Sequence, residues 1–128
     1  MPKRVILVDD SKTILATAEM AMEPLINSGE VVMKTYLNPA ELLGALESGS
    51  EDYDMLISDI NMPQLNGLDL AHSLKQNPSF KHKPILILTT ESSAQMKAQG
   101  KAIGVTGWLV KPFSNEKLVK AVKMVLGL

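Results

Sequence analysis

Branched aliphatic residues gather in five short runs along the chain, at residues 4–8, 31–36, 54–58, 84–88 and 107–110. Several runs are almost continuously apolar rather than alternating, as expected of strands covered on both faces of a parallel sheet. Between them, apolar positions recur at helical spacing. Asn38-Pro39-Ala40-Glu41 reads as a helix start. Asn38 supplies the cap, Pro39 takes the first helical position, and Glu41 stands where its side chain reaches back to the cap. Leu42, Leu43 and Leu46 then form the buried stripe. Ser114 opens the last helix, in which Leu118, Val119, Val122, Val125 and Leu126 share one face and Lys117, Lys120 and Lys123 the other. Strand and helix alternate five times, which predicts an α/β chain with a parallel, doubly wound sheet. In such open sheets, ligands bind beyond the carboxyl ends of the strands.

Those ends carry the chemistry. The first run ends in Asp9-Asp10, the third in Ser58-Asp59, the fourth in Thr89-Thr90-Glu91 and the fifth in Lys111-Pro112. If strands one, three and five share an edge, three carboxylates and one ammonium converge on one spot. Two like charges ~4 Å apart repel by about 4 kcal/mol at an effective dielectric of ~20. Such a cluster therefore calls for a cation or for protonation. Oxygen donors without His or Cys select a hard divalent ion, for which Mg²⁺ is the abundant candidate. Taken alone, Asp9-Asp10 reads equally well as a helix start capped by Asp10 or Ser11. The coincidence with Asp59 and Lys111 favours a site. A carboxylate beside Mg²⁺ and a lysine is set up as a nucleophile toward phosphorus, because both cations neutralise charge on the incoming phosphoryl oxygens. The product is an aspartyl phosphate, and Thr89 offers a hydroxyl to the transferred group.

Four segments carry a family resemblance: I-L-V-D-D-S at 6–11, S-D-I-N-M-P-Q-L-N-G-L at 58–68, I-L-T-T-E at 87–91 and G-W-L-V-K-P-F at 107–113. Together, in this order and spacing, they resemble the receiver domain of response regulators, most closely the stand-alone chemotaxis type, over essentially the whole chain. The resemblance implies a (βα)5 sheet in the order 2-1-3-4-5, the flavodoxin and CheY type of arrangement. It makes Asp59 the phosphoacceptor. Mg²⁺ would be held by Asp59, by Asp10 directly, by Asp9 largely through water, and by the backbone carbonyl of Asn61. Lys111 would pair with the carboxylate and then with the phosphoryl group, across a cis Lys111-Pro112 bond. Thr89 would be the switch hydroxyl and Trp108 the aromatic that turns inward with it, while Thr90, Asn61 and Glu91 flank the site. Tyr or Phe is usual at the aromatic position, so inward rotation of the larger Trp108 indole is expected either to be incomplete or to need a roomier pocket. Trp108 is the sole tryptophan and thus the source of any optical signal.

The resemblance also implies a sensor histidine kinase as donor. The output is a downstream protein such as a flagellar motor switch component, bound through the fourth helix, fifth strand and fifth helix. The alternative output is a phosphorelay intermediate or phosphate sink. The chain is expected to be one receiver domain over 1–128 with no separate output domain, a cytoplasmic monomer, and a signalling switch rather than an enzyme acting on other substrates.

Composition narrows the field further. The 128 residues are 45% hydrophobic and 21% charged, with no cysteine and a net charge of -1. That balance gives no electrostatic case for nucleic-acid binding, and no apolar run approaches the ~20 residues of a membrane span. A phosphatase of the haloacid dehalogenase type would need a second Asp two residues after the nucleophile, where this chain has Asn61. A flavin carrier would need a hydroxyl- and glycine-rich phosphate cradle where this chain has Asp9-Asp10. His72 and His82 have no partners at ligand spacing. Met20, Met22 and Met124 are expected in core or boundary packing. Residues 92–100, with two serines and an internal glycine, have low helix propensity, so the fourth helix is expected to be loosely held and to move on activation.

Overall fold

The computed structural model describes residues 1–90 and 93–128. The elements run β1 (Lys3–Val8), α1 (Lys12–Asn27), β2 (Val31–Tyr36), α2 (Pro39–Glu47), β3 (Met55–Asp59), α3 (Gly67–Lys75), β4 (Ile85–Thr89), α4 (Ala94–Ile103), β5 (Gly107–Val110) and α5 (Asn115–Leu126). The five strands are all parallel, in the order β2-β1-β3-β4-β5. β3 and β4 each lie one residue further along the chain than the apolar pattern suggests. Asp59 and Thr89 therefore close their strands instead of following them.

Alternation along each strand divides the core into two layers. Val5, Leu7, Met55, Ile57, Leu86 and Leu88 face α1 and α5, meeting Leu15, Met22, Leu118 and Val122. Ile6, Val8, Leu56, Ile85 and Ile87 face the other way, toward α2, α3 and α4. Both faces of the central strands are thus apolar, which is why the runs read as continuous.

Each helix begins on a side-chain cap. Ser11 Oγ accepts from Ile14 N, Asn38 Oδ1 from Ala40 N and Glu41 N, and Ser114 Oγ from Lys117 N. The α5 stripe faces the sheet as predicted, with Leu118 and Val122 buried and Val119, Val125 and Leu126 partly so. Two methionine expectations are corrected. Met22 is in the core, but Met20 and Met124 are 67% and 73% exposed, because they fall on the outward sides of α1 and α5. In α4, Gly100 is the only residue that is buried; Met96 and Ile103 are partly covered. This sparse packing agrees with a weakly held helix. Ser92, part of that expectation, lies outside the described residues.

Candidate functional site

The parallel sheet sends the carboxyl ends of β1 and β3, which pair side by side, to the same edge. Asp9 and Asp10 follow β1 and Asp59 ends β3, so their carboxylates are brought together by the register Val8↔Ser58. One oxygen from each of Asp9, Asp10 and Asp59 lies within 4.8 Å of the others. β5 stands two strands from β3, with β4 between them, as the order 2-1-3-4-5 implies. Lys111, just past β5, nevertheless reaches the cluster. Its Nζ lies 2.7 Å from Asp9 Oδ2 and 3.5 Å from Asp59 Oδ2. The backbone continues the ladder at this point, with Lys111 N donating to the Thr89 carbonyl at 2.8 Å. The Lys111-Pro112 peptide bond is cis, as the resemblance implies.

Asp9 is fully buried, Asp59 nearly so, and Asp10 is exposed. Asp9 Oδ1 accepts from Ser11 N at 2.9 Å, and Asp59 Oδ1 accepts from Ile60 N at 2.8 Å. Ser11, not Asp10, is the helix cap, so Asp10 is free of that duty. Burial raises the Asp59 carboxyl above its ordinary value, and the neighbouring Asp9 adds to the rise. Lys111 and the Ile60 N–H work against it. An elevated carboxyl is the expected sign of an acid that is buried and has a like charge beside it.

The loop after β3 depends on Gly67, a residue of the 58–68 segment whose role is not apparent from spacing. Gly67 N donates to the Ile60 carbonyl at 2.8 Å, folding the start of α3 back onto the strand end. A Cβ at Gly67 would stand 1.8 Å from the Asp59 carbonyl oxygen, a separation no side chain survives. The Asn66-Gly67 pair was the available signal, with Asn66 capping α3 through Leu68 N at 2.7 Å.

Thr89 is buried at the end of β4, Thr90 is exposed beside it, and Asn61 and Pro112 are exposed on their loops. Trp108 is half-buried and packs against the layer that contains Ile87 and Ile85. Glu91 lies outside the described residues. His72 and His82 are exposed and form no part of the cluster. The carboxylate set is all oxygen, triply acidic and partly open to solvent through Asp10. These donors fit a hard divalent cation and leave Mn²⁺, Mg²⁺ and Ca²⁺ as the chemically matched ions.

The comparisons with known proteins agree with this geometry. Residues 5–123 match the family model described as the response regulator receiver domain. The chain is 32% identical to protein PilG of Pseudomonas aeruginosa over 120 residues, covering 94% of this chain and 84% of that protein. It is 31% identical to the chemotaxis protein CheY1 of Helicobacter pylori, covering 97% of each. Among solved structures, Vibrio cholerae CheY4 superposes with a TM-score of 0.83 at 37% identity, covering 98% of this chain and 99% of that one.

Proposed function

The chain belongs to the response regulator receiver family, and from that membership we propose that it accepts a phosphoryl group from a histidine kinase on Asp59 and thereby switches its binding to a partner protein. The observation that carries the proposal is the convergence of Asp59, Asp9, Asp10 and Lys111 at one end of β1, β3 and β5. An Asp59 oxygen attacks the phosphorus of a phosphohistidine. The new P–O bond forms as the P–N bond breaks, and the histidine leaves with the electron pair.

Asp9, Asp10, Asp59 and the Asn61 carbonyl would hold Mg²⁺, which when bound supplies positive charge to the transferring oxygens. Lys111 brings its ammonium to the same oxygens and is steered there by Asp9. The Ile60 N–H holds one Asp59 oxygen and so fixes the rotation of the carboxylate. Thr89 donates its hydroxyl to the transferred phosphoryl group, and Trp108, on the neighbouring strand, follows it. The family chemistry makes this a switch that acts only on itself, through its own phosphorylation and dephosphorylation.

The likeness to chemotaxis proteins favours a motor-directed output in the cytoplasm, through the face formed by α4, β5 and α5. Lys97, Lys101, Lys117, Lys120 and Lys123 give that region an exposed basic character. Among the described residues, no helix is long and apolar enough to cross a membrane.

The test records Trp108 emission and incorporated phosphate as Mg²⁺ and then acetyl phosphate are added, in the native chain and in Asp59→Asn. Mg²⁺-dependent phosphate and an emission change, both absent from the variant, support the proposal. Phosphate without an emission change removes Trp108 from the switch. No phosphate in the presence of Mg²⁺ defeats the proposal.

A further inference from the structure

We infer that Gly100 is a positioning residue for Trp108: its missing side chain opens a notch in α4 that receives the indole, so the aromatic and the helix move as a unit. A Cβ at residue 100 would lie 2.8 Å from Trp108 Cζ3, 3.5 Å from Trp108 Cε3 and 3.1 Å from Val105 Cγ2. The benzo edge of the ring therefore occupies the volume a methyl group would take. Glycine is a poor choice in a helix interior on propensity alone. Nor does the backbone require it, since Gly100, unlike Gly104 at the end of the same helix, does not have positive φ. Space for the ring is the remaining reason for glycine at this position.

The notch cannot slide away from the ring. The Gly100 carbonyl accepts from both Gly104 N and Val105 N, each at 3.0 Å, which ties this turn of α4 to the segment leading into β5. Trp108 in turn pairs with Ile87 on β4, two residues before Thr89. A physical path thus runs from the end of β4 through the β5 aromatic to the one buried residue of α4. If the ring rotates either way, it vacates or overfills the notch, and α4 must shift to restore contact. The larger indole is accommodated not by a wider pocket in the sheet but by the loss of one methyl from the helix. This coupling rests on the reading of Trp108 as the aromatic that responds to Asp59.

The test is a cycle of Gly100→Ala, Trp108→Phe and the double variant, each in the full chain, with Mg²⁺ and beryllofluoride as the probe. Gly100→Ala alone is expected to lower the thermal midpoint, to shift Trp108 emission to the red, and to abolish the beryllofluoride-induced change in amide exchange across α4. With Trp108→Phe already present, the same substitution is expected to raise the midpoint, as helix propensity dictates, and the exchange response returns. An equal rise in midpoint in both backgrounds, with unchanged emission, overturns the inference. A non-additive midpoint combined with no beryllofluoride response in the native chain keeps the seat for Trp108 and retires the switch reading instead.

Discussion

Lys111 pairs more closely with Asp9 than with Asp59. The ammonium is 2.7 Å from Asp9 Oδ2 and a full 0.8 Å further, at 3.5 Å, from Asp59 Oδ2. Since Asp9 is fully buried, Lys111 is its compensating charge until a cation arrives, and the two cations compete for one carboxylate.

Removing Lys111 is therefore expected to have opposite effects on two measurements. Lys111→Ala leaves Asp9 free for metal, so Mg²⁺ affinity rises by roughly tenfold, equivalent to about 1.4 kcal/mol. The same variant loses the ammonium that stabilises the transferring phosphoryl group, so phosphate incorporation from acetyl phosphate falls. Calorimetric titration with Mg²⁺ checks the first and radiolabel incorporation the second. Weaker Mg²⁺ binding in the variant would refute the competition.

Burial first, and the neighbouring Asp9 second, hold the Asp59 carboxyl above its ordinary value, so its charged form is kept at a cost. Asp59→Asn, which keeps the shape and removes the charge, is expected to stabilise the metal-free protein at neutral pH. After allowance for solvent screening, about 1 kcal/mol of relieved repulsion corresponds to a midpoint rise of about 4 °C. Added Mg²⁺ should raise the native midpoint more than that of the variant, because a ligand stabilises only the state that binds it. Equal Mg²⁺ effects on both proteins would exclude Asp59 from the metal set.

The fold and the acidic cluster were legible because they rest on local signals. Continuous apolar runs, the Asn38 and Ser114 caps, and carboxylates at strand ends are all written within a few residues. What remained hidden depends on contacts between distant segments. That Lys111 reaches across from beyond β4 and lies nearer to Asp9 than to Asp59 is such a contact. Gly67 stands within the 58–68 segment, and the closeness of its backbone to the Asp59 carbonyl exists only once the loop closes. Met20 and Met124 sit one residue from covered positions, Ala21 and Val125. Helical spacing alone does not separate a boundary position from an outward one.

Gly67 offers the sharpest separation of site from fold. Because a Cβ there would meet the Asp59 carbonyl at 1.8 Å, Gly67→Ala must displace either the start of α3 or the end of β3. Overpacking of this kind costs about 1–3 kcal/mol, which leaves the chain folded. Phosphate incorporation is expected to fall far more than stability does, because the displaced atom belongs to the acceptor itself. Circular dichroism alongside phosphorylation checks this, and native-like incorporation would show that the loop yields without moving Asp59.

Glu51 provides the counterpart, a buried charge with no bond to the Asp59 cluster. Its carboxylate accepts from Arg4 Nη2 at 3.0 Å, Lys34 Nζ at 2.7 Å and the Tyr36 hydroxyl at 2.7 Å, fastening the loop before β3 to the edge strand. Burial pushes the carboxyl upward, but the bonds from Lys34, Tyr36 and the Asp52 N–H outweigh it, leaving it below its ordinary 4.5. An acid whose folded value lies below its unfolded one contributes stability that is complete above the unfolded value. That contribution is lost as pH falls through the folded value. Glu51→Gln is accordingly expected to cost about 2 kcal/mol at pH ~7, the worth of charge-assisted hydrogen bonds to one buried group. The gap to the native protein should narrow as pH drops below 4.5. Urea unfolding at pH ~7 and pH ~4 measures both values, while Mg²⁺-dependent phosphate incorporation, governed by Asp59, Asp9 and Lys111, should persist in the variant. A stability difference that does not change with pH would mean that packing at Glu51, and not its charge, holds the loop to β2.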